Sequence, residues 1–443
     1  MRSLALRVPR DARGFFANWA GTVTSRPLGW REPASEDELV ETVRAATRAG
    51  QRVRVVGGGH SWSAIAAPDE IALSLDRMQG VIAIDRERSL ATVWAGTRIA
   101  RLNADLERVG LALPIVGSVA HQAIAGAIGT GTHGSSLVHG NLSSLVEGGR
   151  IVTGRGEVVD LGARDPRLDG ARVHLGALGI LARVTLRVCP AFRLAETVEA
   201  VPIDTAGRTL VEIARSAEYA KVWWVPRTVR AFVYRYERTD EASSSRPSPS
   251  TLRFIDDVVM HGEVFPRLVA LSRRRPALVP AIARAVAQTL SHPRRVGPSH
   301  LMLSTPMPVL HRETEAAVPM DAAGEALGRI VRMIAREGVR SLFPLEVRFV
   351  RGDQGWLSPA YGADTCQIGA YATDGPDLER YFAGFWREMR PLGARPHWGK
   401  EMEHSADEVR ALYPEAARFL ALRDELDPER RFGGPFHARV LGP

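Results

Sequence analysis

Four short segments of this chain gather side chains able to do chemistry. His397-Trp-Gly-Lys400 sets an imidazole, an indole, a glycine and an ammonium within four residues. Lys400 stands out because the only other lysine is Lys221, the remaining 56 of 58 basic residues being arginine. A compact ammonium is retained in such a background where a planar guanidinium cannot replace it, or it survives by chance; both readings stay open for both lysines. Glu346 and Arg348 alternate with apolar residues in Leu345-Glu-Val-Arg-Phe-Val350. A strand would carry them on one face about 7 Å apart, either reaching one ligand together or forming a solvated salt bridge.

The other two segments are rich in glycine. In Val55-Val-Gly-Gly-Gly-His-Ser61 a strand-like run meets a loop. The amides of Gly57, Gly58 and Gly59 could approach a phosphate with no Cβ between, though a plain tight turn would read the same way. Neither G-x-G-x-x-G opening a helix nor glycines followed by G-K-[S/T] occurs, so a Rossmann fingerprint and a P-loop are both excluded. The second segment alternates Gly126, Gly129, Gly131 and Gly134 with Thr130, Thr132, His133 and Ser135. Two uncharged, donor-rich loops suit the diphosphate of a dinucleotide, or else pack structurally against each other. His121, His133, His139 and His397 lack a ligand spacing such as H-E-x-x-H, and no metal is expected. Cys189 and Cys366 are too few for a disulfide framework and read as inert thiols in strand-like surroundings.

Elements must hold these segments in place. Ser35-Glu-Asp-Glu38 is a capping box, and Leu39, Val43 and Ala46 share one face, predicting a helix over about 36–49 closed by Gly50. The β-branched run 52–56 predicts a strand entering the first glycine loop. Strands are expected at 71–75, 81–84, 90–95, 149–153, 157–161 and 180–188, and a helix through Ile99, Leu102, Leu106 and Val109. Residues 114–149, rich in Gly, Ser and Thr and poor in charge, read as loop. A first domain closes near Pro190. Glu241 to Thr251 is a Ser/Pro-rich connector and 252–295 reads as helical and basic. Leu327, Ile330, Val331 and Ile334 mark a helix ending at Gly338, and Ser405-Ala-Asp-Glu408 opens a last helical stretch. No internal repeat is present.

Composition bounds the class. At 443 residues the chain exceeds the roughly 250–300 residues of a single core, so two domains are expected. With 45% hydrophobic and 24% charged residues it reads as globular. No apolar run reaches the ~18–20 residues of a membrane span, and the start lacks a signal-peptide core, pointing to the cytoplasm. The net charge of +8 is spread over scattered arginines, and Arg273, Arg274 and Arg275 alone make no nucleic-acid face.

The same motifs, taken in order, resemble a known family. Trp19, Pro27, Val56-Gly-Gly-Gly-His-Ser61, Gly129-Thr-Gly-Thr-His133, Ala171-Arg-Val-His-Leu-Gly-Ala-Leu-Gly179, Glu346-Val-Arg348, Leu357-Ser-Pro-Ala-Tyr361, Arg395-Pro-His-Trp-Gly-Lys400 and Leu426-Asp-Pro428 are similar to segments of the flavin-dependent aldonolactone oxidases. Gulonolactone and arabinonolactone oxidases belong there, with alditol oxidase as a cousin. The resemblance implies an α+β, two-domain vanillyl-alcohol-oxidase/p-cresol-methylhydroxylase-type FAD-binding fold. Its FAD-binding domain of two α/β parts would span 1–190. A substrate or cap domain on a large antiparallel sheet would span 191–400, and residues 401–443 would return to the flavin. It further implies FAD bonded covalently through His60, with Gly57, Gly58, Gly59 and Ser61 around the diphosphate. Ser118, Gly126, Thr130, Gly131, Thr132 and His133 form the second cofactor segment, Ile180 lies near the adenine end, and His397 counts among the cofactor residues.

By the same resemblance Glu346, Arg348 and Lys400 meet a sugar-derived substrate. Hydride would pass to flavin N5, Lys400 would stabilise charge near flavin N1, Arg348 would polarise the substrate oxygen, and Glu346 would orient Arg348 or substrate hydroxyls. The proton acceptor stays open between Glu346 and a base acting through Arg348 or water, and the electron acceptor between O₂ and a carrier. Two departures stand. Where alditol oxidases carry His and Thr this chain has Gly369 and Tyr371, which argues for a lactone over a polyol or another secondary alcohol. Phe432-Gly-Gly434 replaces a Phe-x-Asn pattern in the tail. A non-catalytic binding protein on the same fold is the more distant alternative.

Overall fold

The computed structural model describes residues 10–11, 14–243, 264–304, 309–375 and 377–443. Local signals set the first elements. Ser35 Oγ accepts from Glu38 N at 3.1 Å and opens the helix Glu36–Arg48, which buries Leu39, Val43 and Ala46. The reciprocal half of the capping box shifts by one residue, Glu38 accepting from Ala34 N. Strands Gly29–Arg31, Ile71–Leu73 and Val53–Val55 form a parallel sheet in that order. The first glycine loop therefore leaves the C-terminal end of an edge strand. A five-stranded antiparallel sheet runs Val158–Leu161, Val146–Val152, Ile180–Arg187, Leu90–Trp94, Val81–Asp85.

From Arg193 the chain builds an eight-stranded antiparallel sheet. Its order is Arg295–Pro298, Arg193–Pro202, Arg230–Thr239, Tyr219–Trp224, Leu345–Val350, Thr365–Ala372, Arg312–Pro319, Arg395–Pro396. One face is apolar: Val222, Val233, Val347, Phe349, Ile368 and Val318 pack under the helices Ala323–Glu337 and Leu378–Met389. Each such side chain contributes roughly 1.5–3 kcal/mol on burial. The period of two then puts Lys221, Trp223, Glu346, Arg348, Gln367, Gly369, Tyr371, Glu313 and Glu315 on the opposite face. That face carries charge yet is covered: Lys221, Glu313, Glu315 and Glu346 are at most 6% exposed. The solvated salt bridge left open for Glu346 and Arg348 is thus excluded.

The reading of 114–149 as loop is corrected in part. Ile124–Gly129 is a short helix, since Ile124, Ala127 and Ile128 bury one face completely and Ile124 N and Ala125 N donate to Thr97 O and Ala95 O. Gly131, at φ +69°, ends the turn. Within 252–295, the helices Phe265–Arg274 and Val279–Thr289 are as expected, while 244–263, with most of the proposed connector, lies outside the described residues. The tail helices Ala406–Leu412, Ala416–Leu426 and Pro435–Leu441 follow the second capping box, which forms with both its hydrogen bonds. Val53 N donates to Arg431 O at 2.7 Å, tying the tail to the parallel sheet. Cys189 and Cys366 are both unpaired; Cys366 is buried, which pushes its thiol up. No helix among the described residues is long and apolar enough to cross a membrane.

Candidate active site

A cleft open to solvent lies between the end of the parallel sheet and the helix Ile124–Gly129. Gly57, Gly58, Gly59, His60, Ser61, Gly126, Thr130 and Ile180 all line it. Its chemistry suits a dinucleotide. A Cβ on Gly58 would stand 2.7 Å from the His121 carbonyl oxygen, so the loop approaches that wall only as glycine. His174, also in the lining, accepts from Gly176 N on Nδ1 at 2.9 Å and is buried, which holds its imidazole neutral. Phe432 reaches the cleft from the tail, and the buried Arg54 donates to the carbonyls of Phe432, Gly433 (2.8 Å) and Gly176 (3.1 Å). The tail thus holds Arg54 through the carbonyls of Phe432 and Gly433, whichever residue stands at 434.

His60 is half-buried in this cleft, its ring stacked 6.0 Å from Trp19 and 6.3 Å from His121. Burial, with His121, Arg98 and Lys400 nearby, holds its imidazole neutral and lowers its pKa to about 4. The Lys400 segment is stitched to the same loop. Trp62 N donates to Gly399 O at 2.7 Å and Ser63 Oγ to Trp398 O at 2.7 Å. On its other side His397 N donates to Glu315 O and Glu401 N to Glu313 O.

The buried sheet face supplies an ionic ladder. Arg348 donates to Glu346 Oε2, to Ser118 Oγ at 2.7 Å and to His133 O at 3.3 Å. Tyr371 donates its hydroxyl to the same Glu346 Oε2 at 2.7 Å. Burial opposes ionisation of Glu346, but Arg348 and Lys221 outweigh it and bring the carboxyl down to about 2. Next along the ladder, Lys400 Nζ pairs with Glu313 and lies 3.9 Å from Glu315 Oε2 and 4.4 Å from the Trp62 ring centre. Glu315 Oε1 meets His133 Nε2 at 3.0 Å. The two glutamates diverge: burial raises Glu313, whereas Glu315, despite burial, is pulled well down by His133, His397 and Lys400.

The proposed site residues therefore sort into two groups. The first glycine loop, Gly126, Thr130 and Ile180 line the cleft. Ser118 and His133 bridge instead to Arg348 and Glu315, and Thr132 accepts from Gln122 Nε2 at 3.2 Å. His397 lies behind the cleft wall, its Nδ1 accepting from Gly399 N at 3.0 Å, and burial lowers its pKa to about 3. Donor atoms of His133, Glu315 and His397 come within 4.8 Å of one another, a trio that sequence spacing had not suggested. The Lys400 ammonium already shares that carboxylate. Glu313 and Glu315 escaped the sequence reading, although Arg312-Glu-Thr-Glu315 shows the same alternation that singled out Glu346 and Arg348; Lys221 stood out there only by its rarity.

Comparison with known proteins agrees with this geometry. The FAD binding domain family matches residues 27–162, and the D-arabinono-1,4-lactone oxidase family matches residues 184–440. An L-gulono-1,4-lactone dehydrogenase of Mycobacterium tuberculosis is 33% identical over 97% of this chain and 99% of its own length. An L-gulonolactone oxidase of Bos taurus is 31% identical over 96% and 98%. Among solved structures, cholesterol oxidase from B. sterolicum superimposes with a TM-score of 0.79 over 97% of this chain and 96% of its own, at 16% identity, which establishes the shared fold. A glycine-lined cleft, an ionic ladder on the large sheet and relatives matched end to end place this chain in the D-arabinono-1,4-lactone oxidase family of FAD-dependent oxidoreductases.

Proposed function

We propose that this protein oxidises a secondary alcohol carbon of a sugar-derived 1,4-lactone of the gulono-, galactono- or arabinono- type. FAD would lie in the glycine-lined cleft, bonded covalently through His60. The observation that carries this reading is that three sequence-distant segments converge: the His60 loop is hydrogen-bonded to the Lys400 segment, which is hydrogen-bonded to the Glu313–Glu315 strand, one strand removed from Glu346 and Arg348 on the same sheet face. The names of the end-to-end relatives support the lactone. Tyr371, committed to Glu346, and the bare Gly369 support a lactone over a polyol.

The bound flavin supplies the hydride acceptor for a carbon that bears a hydroxyl. The protein's own residues do the positioning. Arg348, a rigid fork steadied by Glu346 and Ser118, holds and polarises the substrate oxygen. Glu346, ionised down to about 2, keeps Arg348 in place and is too acidic to serve as base near neutrality. Glu313, raised by burial, is better matched to receive the hydroxyl proton. Lys400 beside it sets a cation where negative charge grows. The neutral His60 imidazole keeps a lone pair available for bonding carbon.

The test is a panel of gulono-, galactono- and arabinonolactone with xylitol and sorbitol, following loss of the yellow flavin absorbance without oxygen and then with it. Bleaching by a lactone and not by the polyols is expected, and bleaching by polyols alone would overturn the reading. Recovery of colour in air marks O₂ as acceptor, and its failure marks a carrier. Precipitation with acid should leave the colour on the protein; full release would overturn the bond to His60.

A further inference from the structure

The side chains of His133 and Glu315 meet in a way that requires an extra proton. Each nitrogen of the His133 ring faces an oxygen: Nδ1 lies 2.9 Å from the Gly134 carbonyl oxygen, and Nε2 lies 3.0 Å from Glu315 Oε1. A carbonyl oxygen only accepts, so Nδ1 carries hydrogen. A neutral imidazole would then turn its lone pair toward an ionised carboxylate, setting two acceptors against each other at hydrogen-bond distance. A second proton therefore belongs to the pair, either on Nε2 with Glu315 ionised or on Oε1 with the ring neutral. Burial opposes charge on Glu315, yet His133, His397 and Lys400 pull its carboxyl well down, which puts the proton on the ring. His133 and Glu315 are 4% and 5% exposed, so the pair is shut off from bulk water.

A metal ion is the other way to bring His133, Glu315 and His397 together, and it does not suit the third of them. His397 Nδ1 accepts from Gly399 N at 3.0 Å, so the neutral ring carries its hydrogen on Nε2 and has no lone pair left for a cation. The surrounding charges show what the extra proton does. Lys400 Nζ pairs with Glu313 and stands 3.9 Å from Glu315 Oε2, an ammonium between two buried carboxyls. Arg348, bonded to Glu346, reaches His133 only at its carbonyl oxygen and leaves the ring to Glu315. We propose that His133 is a positioning residue in its doubly protonated form, balancing the charge of Glu315 and so leaving the Lys400 ammonium to Glu313. This rests on the reading of Glu313 as proton acceptor with Lys400 beside it. It deepens that reading by giving the reason why two glutamates on one strand face differ: Glu315 is held by an imidazolium, and Glu313 stays with the group that works on the substrate.

The test reads the proton directly, by nitrogen NMR of the FAD-loaded protein carrying isotope-labelled histidine. The ring signals lost in His133→Gln, or shifted in the milder Glu315→Gln, identify His133. At pH 7 both its nitrogens should show bonded hydrogen; one unprotonated nitrogen overturns the proposal. In Glu315→Gln the amide can donate to Nε2, and the ring should revert to the neutral form with hydrogen on Nδ1 alone. A ring still doubly protonated there overturns the hold of Glu315. Anaerobic flavin reduction by gulono-1,4-lactone supplies the second readout. His133→Gln sets Glu315 to compete for Lys400 and should slow reduction roughly tenfold or more. Adding Glu315→Gln removes the competitor, so the double variant should react roughly fivefold or more faster than His133→Gln alone, whereas a merely structural contact would leave it as slow or slower. No loss in the single variant, or no recovery in the double, overturns the proposal. If no lactone reduces the parent's flavin the functional reading fails, while the ring nitrogens still decide whether His133 balances Glu315.

Discussion

Replacing Glu346 with glutamine removes the one carboxylate on which Arg348, Lys221 and Tyr371 converge. In the folded protein its carboxyl sits near 2 against an ordinary 4.5, with Arg348 and Lys221 overcoming the burial that opposes its charge. That difference corresponds to about 3 kcal/mol in favour of the charged form. Because the folded pKa is depressed, the stabilisation is full above pH 4.5 and is lost as pH falls from 4.5 toward 2. Linkage puts the loss on the order of 1 kcal/mol by pH 3.5. The substituted amide cannot titrate, and it leaves two buried cations without their counter-charge. Urea unfolding followed by tryptophan fluorescence should therefore find the Glu346→Gln protein about 3 kcal/mol less stable at pH 7. The gap to the parent should narrow by on the order of 1 kcal/mol at pH 3.5. A gap that stays constant from pH 7 to pH 3.5, or no gap at all, would refute the ionised Glu346 and its hold on Arg348.

The remaining predictions concern the cofactor and the substrate. His60→Ala should release all its yellow colour on acid precipitation while the parent keeps its own, read by absorbance of the supernatant. Gly58→Ala forces a methyl to 2.7 Å from the His121 carbonyl oxygen and should lower the FAD content of purified protein; full occupancy would show that the loop has room. Lys400→Ala leaves Glu313 and Glu315 as buried neighbours without their cation and should slow anaerobic flavin reduction at least tenfold in stopped flow. Equal rates would remove Lys400 from the chemistry. Arg348→Lys keeps the charge and loses the fork, and kcat/KM should drop several-fold or more in steady-state assays.

The sequence by itself determined whatever depends on neighbours along the chain. The Ser35 cap and the spacing of Leu39, Val43 and Ala46 placed the helix Glu36–Arg48, since capping and helical periodicity act within a few residues. Alternation put Glu346 and Arg348 on one strand face, and bare glycines after a strand marked the loop that lines the cleft. The same glycine richness misread Ile124–Gly129, whose helix exists because Ile124, Ala127 and Ile128 are buried by distant parts of the fold. Tertiary structure alone decided how the charges combine. Glu313 meets Lys400, Glu315 meets His133, and Lys221 meets Glu346 only through the register of strands and the packing of loops that are tens to more than a hundred residues apart in the chain. That packing also sets which carboxyl is depressed and which raised. Burial and neighbouring charge shift these groups through space, and no spacing along the chain encodes how near two buried charges will lie.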